Sequence, residues 1–425
     1  DNKKQNTTTI SNDNIIARFF VRDIVQNKLS YRKKNNNLFL ERPKEIACMS
    51  RTKELKWKYN DRSGYLPYTL DDNAATNYDL NEGFDTFNQN YEPTKPDSLS
   101  HVLEAVAHQK GKKDLQQRRP NVVSWRGILT KIMTTPYVTR DEYQFVVWKY
   151  KGILYFSNRE EGNTTITEER LKRFMYYGYK FEEIATRTKI ISKETEEPTL
   201  VVDPRECFCR IFTTSVTRNN NNNDNNNNIK EDNSGDTTTT HTILAAGEMD
   251  CYNNKKKTNN NEEEEDHIEL KTTRCIQNQR QRNTFERYKL LKYYCQSYLS
   301  GVQRIVVAFR DDRGIIQTRE SLPTLRIPKM ISSSKNTKSR SSSSSWWNPQ
   351  ICIQYLDYTL TWLQTVIPSD DTTTGDNNDT SNNDSCNTVN DAPCYLYRYC
   401  SANGQVTIEL TERTQDDILR EETCL

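Results

Sequence analysis

Gly247-Glu248-Met249-Asp250 and, beyond an acidic Asn-rich stretch, His267-Ile268-Glu269-Leu270-Lys271 are the two segments whose reading decides the fold. Successive side chains of a strand point to opposite faces, so Glu248 and Asp250 share a face, as do Glu269 and Lys271 on the following strand. Met249, Ile268 and Leu270 fall on the other face and supply the apolar surface that a packed strand needs. Two such strands side by side would bring three carboxylates and an amine together.

Upstream, 166–186 reads as an amphipathic helix, with Thr165 and Glu168 spaced as a capping box. Leu171, Met175, Gly178 and Glu182 follow at intervals of 4, 3 and 4 and line one stripe, so Glu182 extends an otherwise apolar face. A mid-helix glycine costs about 1 kcal/mol relative to alanine, and Gly178 therefore suggests close approach of another backbone. Four carboxylates gathered at one place repel and take up protons unless a divalent cation satisfies them. With only 4 histidines in the chain, an all-oxygen donor set selects Mg²⁺ or Mn²⁺. An ion so held activates water and neutralises a phosphoryl oxygen, and Lys271 stabilises the developing charge or orients the water.

Around this block the patterns alternate between strand and helix. Segments 143–148 and 153–157 form a hairpin about Lys151-Gly152, and strands are expected at 241–252, 267–272 and 304–310. Further helices are expected at 283–299 and 346–366, the last carrying Trp347, Ile351, Tyr355, Tyr358 and Trp362 near helical spacing. The fold class is α/β, with mixed sheets and flanking helices in a single domain over 15–425.

The chain has 425 residues with 34% hydrophobic and a mean hydropathy of −0.94, so part of it cannot be packed core. The excess polarity lies in 1–14 and in insertions at 218–240, 253–266, 332–345 and 369–392, which read as disordered. Lys and Arg total 60 against 58 acidic residues, so a nucleic-acid surface would be a local patch. Eleven cysteines at irregular spacing, with Cys207-x-Cys209 the only close pair, read as reduced thiols without a disulfide-linked partner. No run approaches a membrane span, and the first residues lack the apolar core of a signal peptide, so a soluble chain is expected.

Five motifs then occur in order: Ser124-Trp125-Arg126-Gly127, Gly178-Tyr179-Lys180-Phe181-Glu182, Gly247-Glu248-Met249-Asp250, Glu269-Leu270-Lys271 and Leu291-Lys292-Tyr293-Tyr294-Cys295-Gln296. Together they resemble the decapping exoribonuclease family of the PD-(D/E)xK nuclease superfamily, including its fungal nuclear branch. The resemblance implies that Glu182, Asp250, Glu269 and the Leu270 carbonyl bind metal, two ions in all, with Glu248 acting through a metal-bound water. It implies that Arg126, Lys271 and Gln296 contact the 5′ phosphates of RNA. Lys292 and Gln296 are four apart on one helix face and would meet the same phosphate. The implied activity is removal of incomplete, unmethylated or NAD-type caps, or of pyrophosphate from 5′-triphosphate RNA, with or without exonucleolytic digestion. The implied setting is the nucleus, with the cytoplasm as the alternative. A different reading makes the chain mainly a stabilising partner of a nuclear 5′→3′ exoribonuclease, and a third a DNA nuclease with the same core. The family's final motif, usually Gly-Phe-Arg, stands here as Ala308-Phe309-Arg310, which leaves the role of Arg310 open. Two basic stretches, 110–119 and 274–287, are candidates for tracking the RNA backbone through Lys112, Lys113, Arg118, Arg119, Arg280, Arg282 and Arg287.

Overall fold

The computed structural model describes residues 14–29, 37–71, 77–91, 98–109, 119–158, 168–186, 203, 205–219, 237–253, 266–333, 346–368 and 396–411. Its strands are β1 (Ile15–Phe20), β2 (Asn37–Leu40), β3 (Lys44–Arg51), β4 (Trp57–Tyr59), β5 (Leu66–Tyr68), β6 (Val122–Trp125), β7 (Tyr143–Tyr150), β8 (Ile153–Ser157), β9 (Cys207–Asn219), β10 (Thr237–Glu248), β11 (Cys251–Asn253), β12 (His267–Arg274), β13 (Arg304–Arg310), β14 (Ile316–Pro323), β15 (Tyr397–Ala402) and β16 (Gln405–Leu410). Helices α1 (Phe84–Asn90), α2 (Leu99–Ala107), α3 (Arg126–Thr134), α4 (Glu169–Thr186), α5 (Gln279–Thr284), α6 (Leu290–Leu299), α7 (Ile327–Ser333) and α8 (Pro349–Val366) accompany them.

The hairpin at β7 and β8 shows how local chemistry sets the framework. Lys151 (φ 47°) and Gly152 (φ 77°) both take left-handed conformations between the two antiparallel strands, as a two-residue hairpin turn requires. These strands belong to an eleven-stranded sheet ordered β1-β16-β15-β7-β8-β6-β10-β9-β3-β4, with β2 also paired to β9. The second sheet has five strands, ordered β14-β13-β12-β11-β5. Both are mixed: β10, β6 and β8 run parallel, as do β12 and β13, while their outer neighbours are antiparallel.

Apolar side chains of α3, α6 and α8 meet one face of each sheet in the main core, where Leu129, Leu291 and Tyr355 join Ile243 of β10 and Val307 of β13. Most of the expected aromatic face of α8 is there: Tyr355 is buried, and Phe19 of β1 packs edge-on against Tyr355, Tyr358 and Trp362, while Trp347, also buried, precedes the helix. On the far side of the five-stranded sheet, Phe181, Tyr176 and Tyr177 of α4 cover Ile268, Leu270 and Val306. A small cluster of Tyr65, Phe208, Met249 and Val302 seals the junction between the sheets.

Several expectations need correction. Segment 241–252 is not one strand: β10 leaves the large sheet at Glu248, and β11 enters the small one at Cys251, so Met249 and Asp250 make the crossing. The Met249 amide still donates to the Phe208 carbonyl at 3.0 Å. At the edges of the expected insertions, 218–219 and 237–240 are strand residues, Asn253 ends β11, and 332–333 are helical. The inner parts of these tracts, like 1–13, lie outside the described residues.

The helix ending at Thr186 begins at Glu169, with Thr165 outside the described residues. Its buried face runs through Tyr176, Tyr177, Lys180, Phe181 and Glu183, and Leu171 is exposed, because the aromatic side rather than the anticipated stripe meets the small sheet. Among the described residues a Cβ on Gly178 would meet nothing within 4 Å, so no close approach by them explains that glycine. The helix read at 283–299 instead starts at Gln279, capped by the Asn278 side chain, and passes through a wide turn at Phe285–Lys289 before α6. The last helix starts at Pro349 rather than at 346, behind an Asn348 cap. Among the described residues, no helix is long and apolar enough to cross a membrane, and every described cysteine is a free thiol.

Candidate active site

Alternation along β12 puts Glu269, Lys271 and Thr273 on one face. Glu269 is buried and stands at the centre of the site. Its Oε2 accepts from Arg126 Nη1 at 3.2 Å, and its Oε1 accepts from Gln296 Nε2 at 2.6 Å and from the Lys271 ammonium. Burial alone would raise the Glu269 carboxyl, but Lys271 and Arg126 outweigh it and hold the group below the usual carboxylate range. Burial likewise acts to lower Lys271, and Glu269 and Asp250 more than reverse this, so its ammonium keeps its proton firmly.

Arg126 arrives from the large sheet. It is the first residue of α3, directly after β6, whose Trp125 pairs with Ala246 of β10. Its guanidinium therefore lies against Gly247, where a Cβ would stand 2.8 Å from Arg126 Nε. The second partner of Arg126 Nη1 is Ser300 Oγ at 3.2 Å. Ser300 in turn donates to the Gln296 carbonyl at 3.0 Å, and its own carbonyl accepts from the buried Arg210 at 2.8 Å.

Asp250, at the crossing between sheets, accepts from the Leu270 amide at 2.6 Å. This bond ties the Glu-x-Asp turn to β12. Burial and the charge of Glu269 push the Asp250 carboxyl up to about 7, against the pull of Lys271. Glu182 reaches the same place from α4, and burial, then Asp250 and Glu248, raise it well above the ordinary range. Tyr179, one turn earlier, is raised by burial and then by Glu248 and Glu182, so it faces the same carboxylates.

Among the described residues, no three His, Cys, Asp or Glu side chains close into a chelating group. The Glu269 oxygens are turned to Arg126, Gln296 and Lys271, and one Asp250 oxygen to the Leu270 amide. The donor chemistry nevertheless fits a hard divalent ion: every donor is oxygen, and Glu182 and Asp250 are raised by burial and then by like charges, both of which such an ion would offset.

Two clefts meet at this point. One, of about 340 Å³, is lined by Glu182, Glu248 and Asp250 together with Arg51, Lys58 and Phe208. The other, of about 500 Å³, is lined by Arg126, Lys131, Glu248, Lys292 and Gln296. Glu248 borders both, so an acidic cleft and a basic one share a wall.

The remaining expected residues are placed less simply. Lys292 lines the basic cleft but its ammonium pairs with Asp141 at 2.6 Å. Arg310 stacks over Phe174 and Tyr177, 4.9 and 4.7 Å from the ring centroids, and donates to the Asp311 carbonyl. In the second basic stretch Arg274 pairs with Asp312 at 2.5 Å, Arg280 is exposed and Arg282 half-buried, and Arg287 lies over Tyr288. Of the first stretch only Arg119 is described, and 110–118 lie outside the described residues. Sequence reasoning missed Ser300, Arg210 and Tyr179. The first was detectable as the continuation of a helix face, since Ser300 follows Gln296 by four.

Comparison with known proteins gives the chain a family. The model of the RAI1-like PD-(D/E)XK nuclease family matches residues 41–221 and 237–423, well over half of the chain. The Neurospora crassa decapping nuclease RAI1 is 28% identical over 346 residues, covering 77% of this chain and 74% of that protein. The human decapping and exoribonuclease protein is 25% identical over 343 residues, covering 78% and 77%. Candida albicans Rai1, solved in complex with pU5 and Mn²⁺, superposes with a TM-score of 0.63 at 23% identity, covering 91% of this chain and 94% of that one. A mixed α/β scaffold, a Glu-x-Asp crossing and a Glu-x-Lys strand at one centre, and a family match along most of the chain lead to one conclusion: the chain belongs to the RAI1-like PD-(D/E)XK nucleases.

Proposed function

We propose that this protein is a metal-dependent RNA decapping nuclease. It would hydrolyse phosphate linkages at RNA 5′ ends that carry an unmethylated guanosine cap, an NAD-type cap or a triphosphate, leaving a 5′ monophosphate. The observation that carries this reading is the contact of Arg126, Lys271 and Gln296 with one carboxylate, Glu269, beside the proton-hungry Glu182 and Asp250. Cationic and amide donors beside carboxylate ligands suit a substrate with adjacent phosphates. The relatives named decapping nucleases support it, as does the pU5 and Mn²⁺ bound by the Candida albicans protein.

In this reading Glu182, Asp250, Glu269 and the Leu270 carbonyl would hold Mg²⁺ or Mn²⁺, two ions in all, with Glu248 acting through a bound water. A divalent ion there supplies a water of lowered pKa and charge neutralisation at a phosphoryl oxygen. Lys271, kept protonated by Glu269, offers its ammonium to the charge that builds on the attacked phosphate. Arg126 and Gln296 exchange part of their hold on Glu269 for phosphate oxygens, which orients the 5′ end. Lys292 reaches phosphate by releasing Asp141.

The test is incubation of purified protein and Mn²⁺ with triphosphate-, GpppN-, methylated-cap- and NAD-ended RNAs, reading the released 5′ group. Release from at least one substrate is expected, with a loss of roughly a hundredfold or more in Asp250→Ala and Glu269→Ala. Unchanged release in either variant would overturn the site assignment.

A further inference from the structure

The helix face that carries Gln296 extends well past the groups already discussed. Lys289, Tyr293, Gln296 and Ser300 follow one another at spacings of 4, 3 and 4 and therefore form one stripe. Each contacts or faces part of the catalytic row. Ser300 holds Arg126 beside Glu269, Gln296 holds Glu269 itself, and Tyr293 feels the charges of Lys271 and Glu269. Lys289 Nζ donates to Thr273 Oγ1 at 2.6 Å. The stripe thus runs beside β12 in the opposite sense, matching Glu269, Lys271 and Thr273 in turn.

At its outer end this row presents an uncompensated cation. Among the described residues Lys289 has the Thr273 hydroxyl as its hydrogen-bond partner and no carboxylate. Burial, and then the positive charge of Arg310, lower its proton affinity. A partly desolvated ammonium facing a hydroxyl and another cation is electrostatically unfavourable until an anion arrives. Lys292 is different: its ammonium already has Asp141.

The spacing suggests which anion. Thr273 lies two residues beyond Lys271, roughly 6.6 Å along a strand, a separation comparable with that of neighbouring phosphates in an extended single strand. We propose that Lys289 and Thr273 form a second phosphate subsite, which takes the first internucleotide phosphate of an RNA whose 5′ phosphate lies at Lys271. This rests on the functional reading above and deepens it, because it assigns the direction in which the RNA body leaves the reacting end: outward along β12 and α6. Such a contact is made to the backbone and is indifferent to base identity.

The experiment compares wild-type protein, Lys289→Met, which keeps the aliphatic stem, and Lys289→Arg, which restores the charge. Affinity is measured in Ca²⁺ for uridine 5′-monophosphate and for the 5′-phosphorylated uridine trinucleotide, over a range of salt. In K289M the trinucleotide should weaken by about fivefold more than the mononucleotide, the effect of one partly exposed charge contact. Its log–log salt slope should fall by about 0.7, as for one single-strand phosphate, and K289R should recover both. Equal losses for the two ligands, or an unchanged salt slope, would overturn the subsite while leaving the functional reading intact. Wild-type protein that binds neither ligand would overturn both.

Discussion

Gly247 and Arg126 are locked by contact: a Cβ on the glycine would stand 2.8 Å from Nε and 2.9 Å from Cδ of the arginine. Arg126 is buried and its guanidinium is held by Glu269 and Ser300, so it has little room to yield. Gly247→Ala should therefore lower kcat/KM on 5′-capped or triphosphorylated RNA by about tenfold or more, roughly 1.4 kcal/mol. In a double-mutant cycle the same change on an Arg126→Ala background should cost little. Additive losses would show that Gly247 acts through something other than Arg126.

Ser300 offers a separate handle on the same arginine. Its hydroxyl accepts from Arg126 and donates to the Gln296 main-chain carbonyl, so Ser300→Ala removes one of the two side chains that hold the Arg126 guanidinium. A rise in KM of several-fold with a smaller change in kcat is expected, the size of one lost buried hydrogen bond. Ser300→Thr, which keeps the hydroxyl, should restore much of the loss. Steady-state kinetics on one capped RNA decides the matter, and an unaltered KM in S300A would remove Ser300 from the phosphate site.

Metal removal should expose the strain among the carboxylates. Glu182 is raised by burial and by Asp250 and Glu248, so in chelator at neutral pH it opposes folding. Glu182→Gln should melt at a higher temperature than wild type without metal. Added Mn²⁺ should stabilise wild type and raise the variant much less. Thermal denaturation with and without Mn²⁺ measures both effects, and equal Mn²⁺ stabilisation of the two proteins would argue that Glu182 is not a ligand.

Away from the site, His241 gives the acid limb of stability a specific contributor. It is buried between Thr361, at 3.0 Å, and Asn121, and burial lowers its pKa below 6.5 despite Asp357. A group depressed on folding contributes stability that is fully present above 6.5, its unfolded value, and is lost as pH falls through the folded one. His241→Gln should thus lose less stability than wild type between neutral pH and mildly acidic pH. Melting curves that fall in parallel for both proteins would contradict this.

Much of the site was legible because it obeys simple periods. Glu269 and Lys271 sit two apart on a strand, and Lys292 and Gln296 four apart on a helix, and β13 has the bounds its apolar run suggested. What could not be read depends on tertiary geometry. The break at Met249–Asp250 follows from transfer between two sheets, which leaves no mark on the alternation of Glu248 and Asp250. The first residues of β10 are Thr237 to Thr240, polar enough to resemble the Asn-rich tract before them, yet they pair with β9. Gly178 misled for a related reason: composition cannot show that none of the described residues comes near it, whereas Gly247, in a strand, faces an arginine from another element.

The antiparallel pair β9 and β10 also bears on how this chain accommodates change. Asn219 and Thr237 face each other at one end of the pair, and Cys209 and Glu248 at the other. The eleven steps of β10 between Thr237 and Glu248 span roughly 36 Å of strand. Residues inserted between Asn219 and Thr237 therefore enter at the distal end of a long paired arm. The points at which the chain leaves and re-enters this pair are thus separated from Glu248 by the full length of β10.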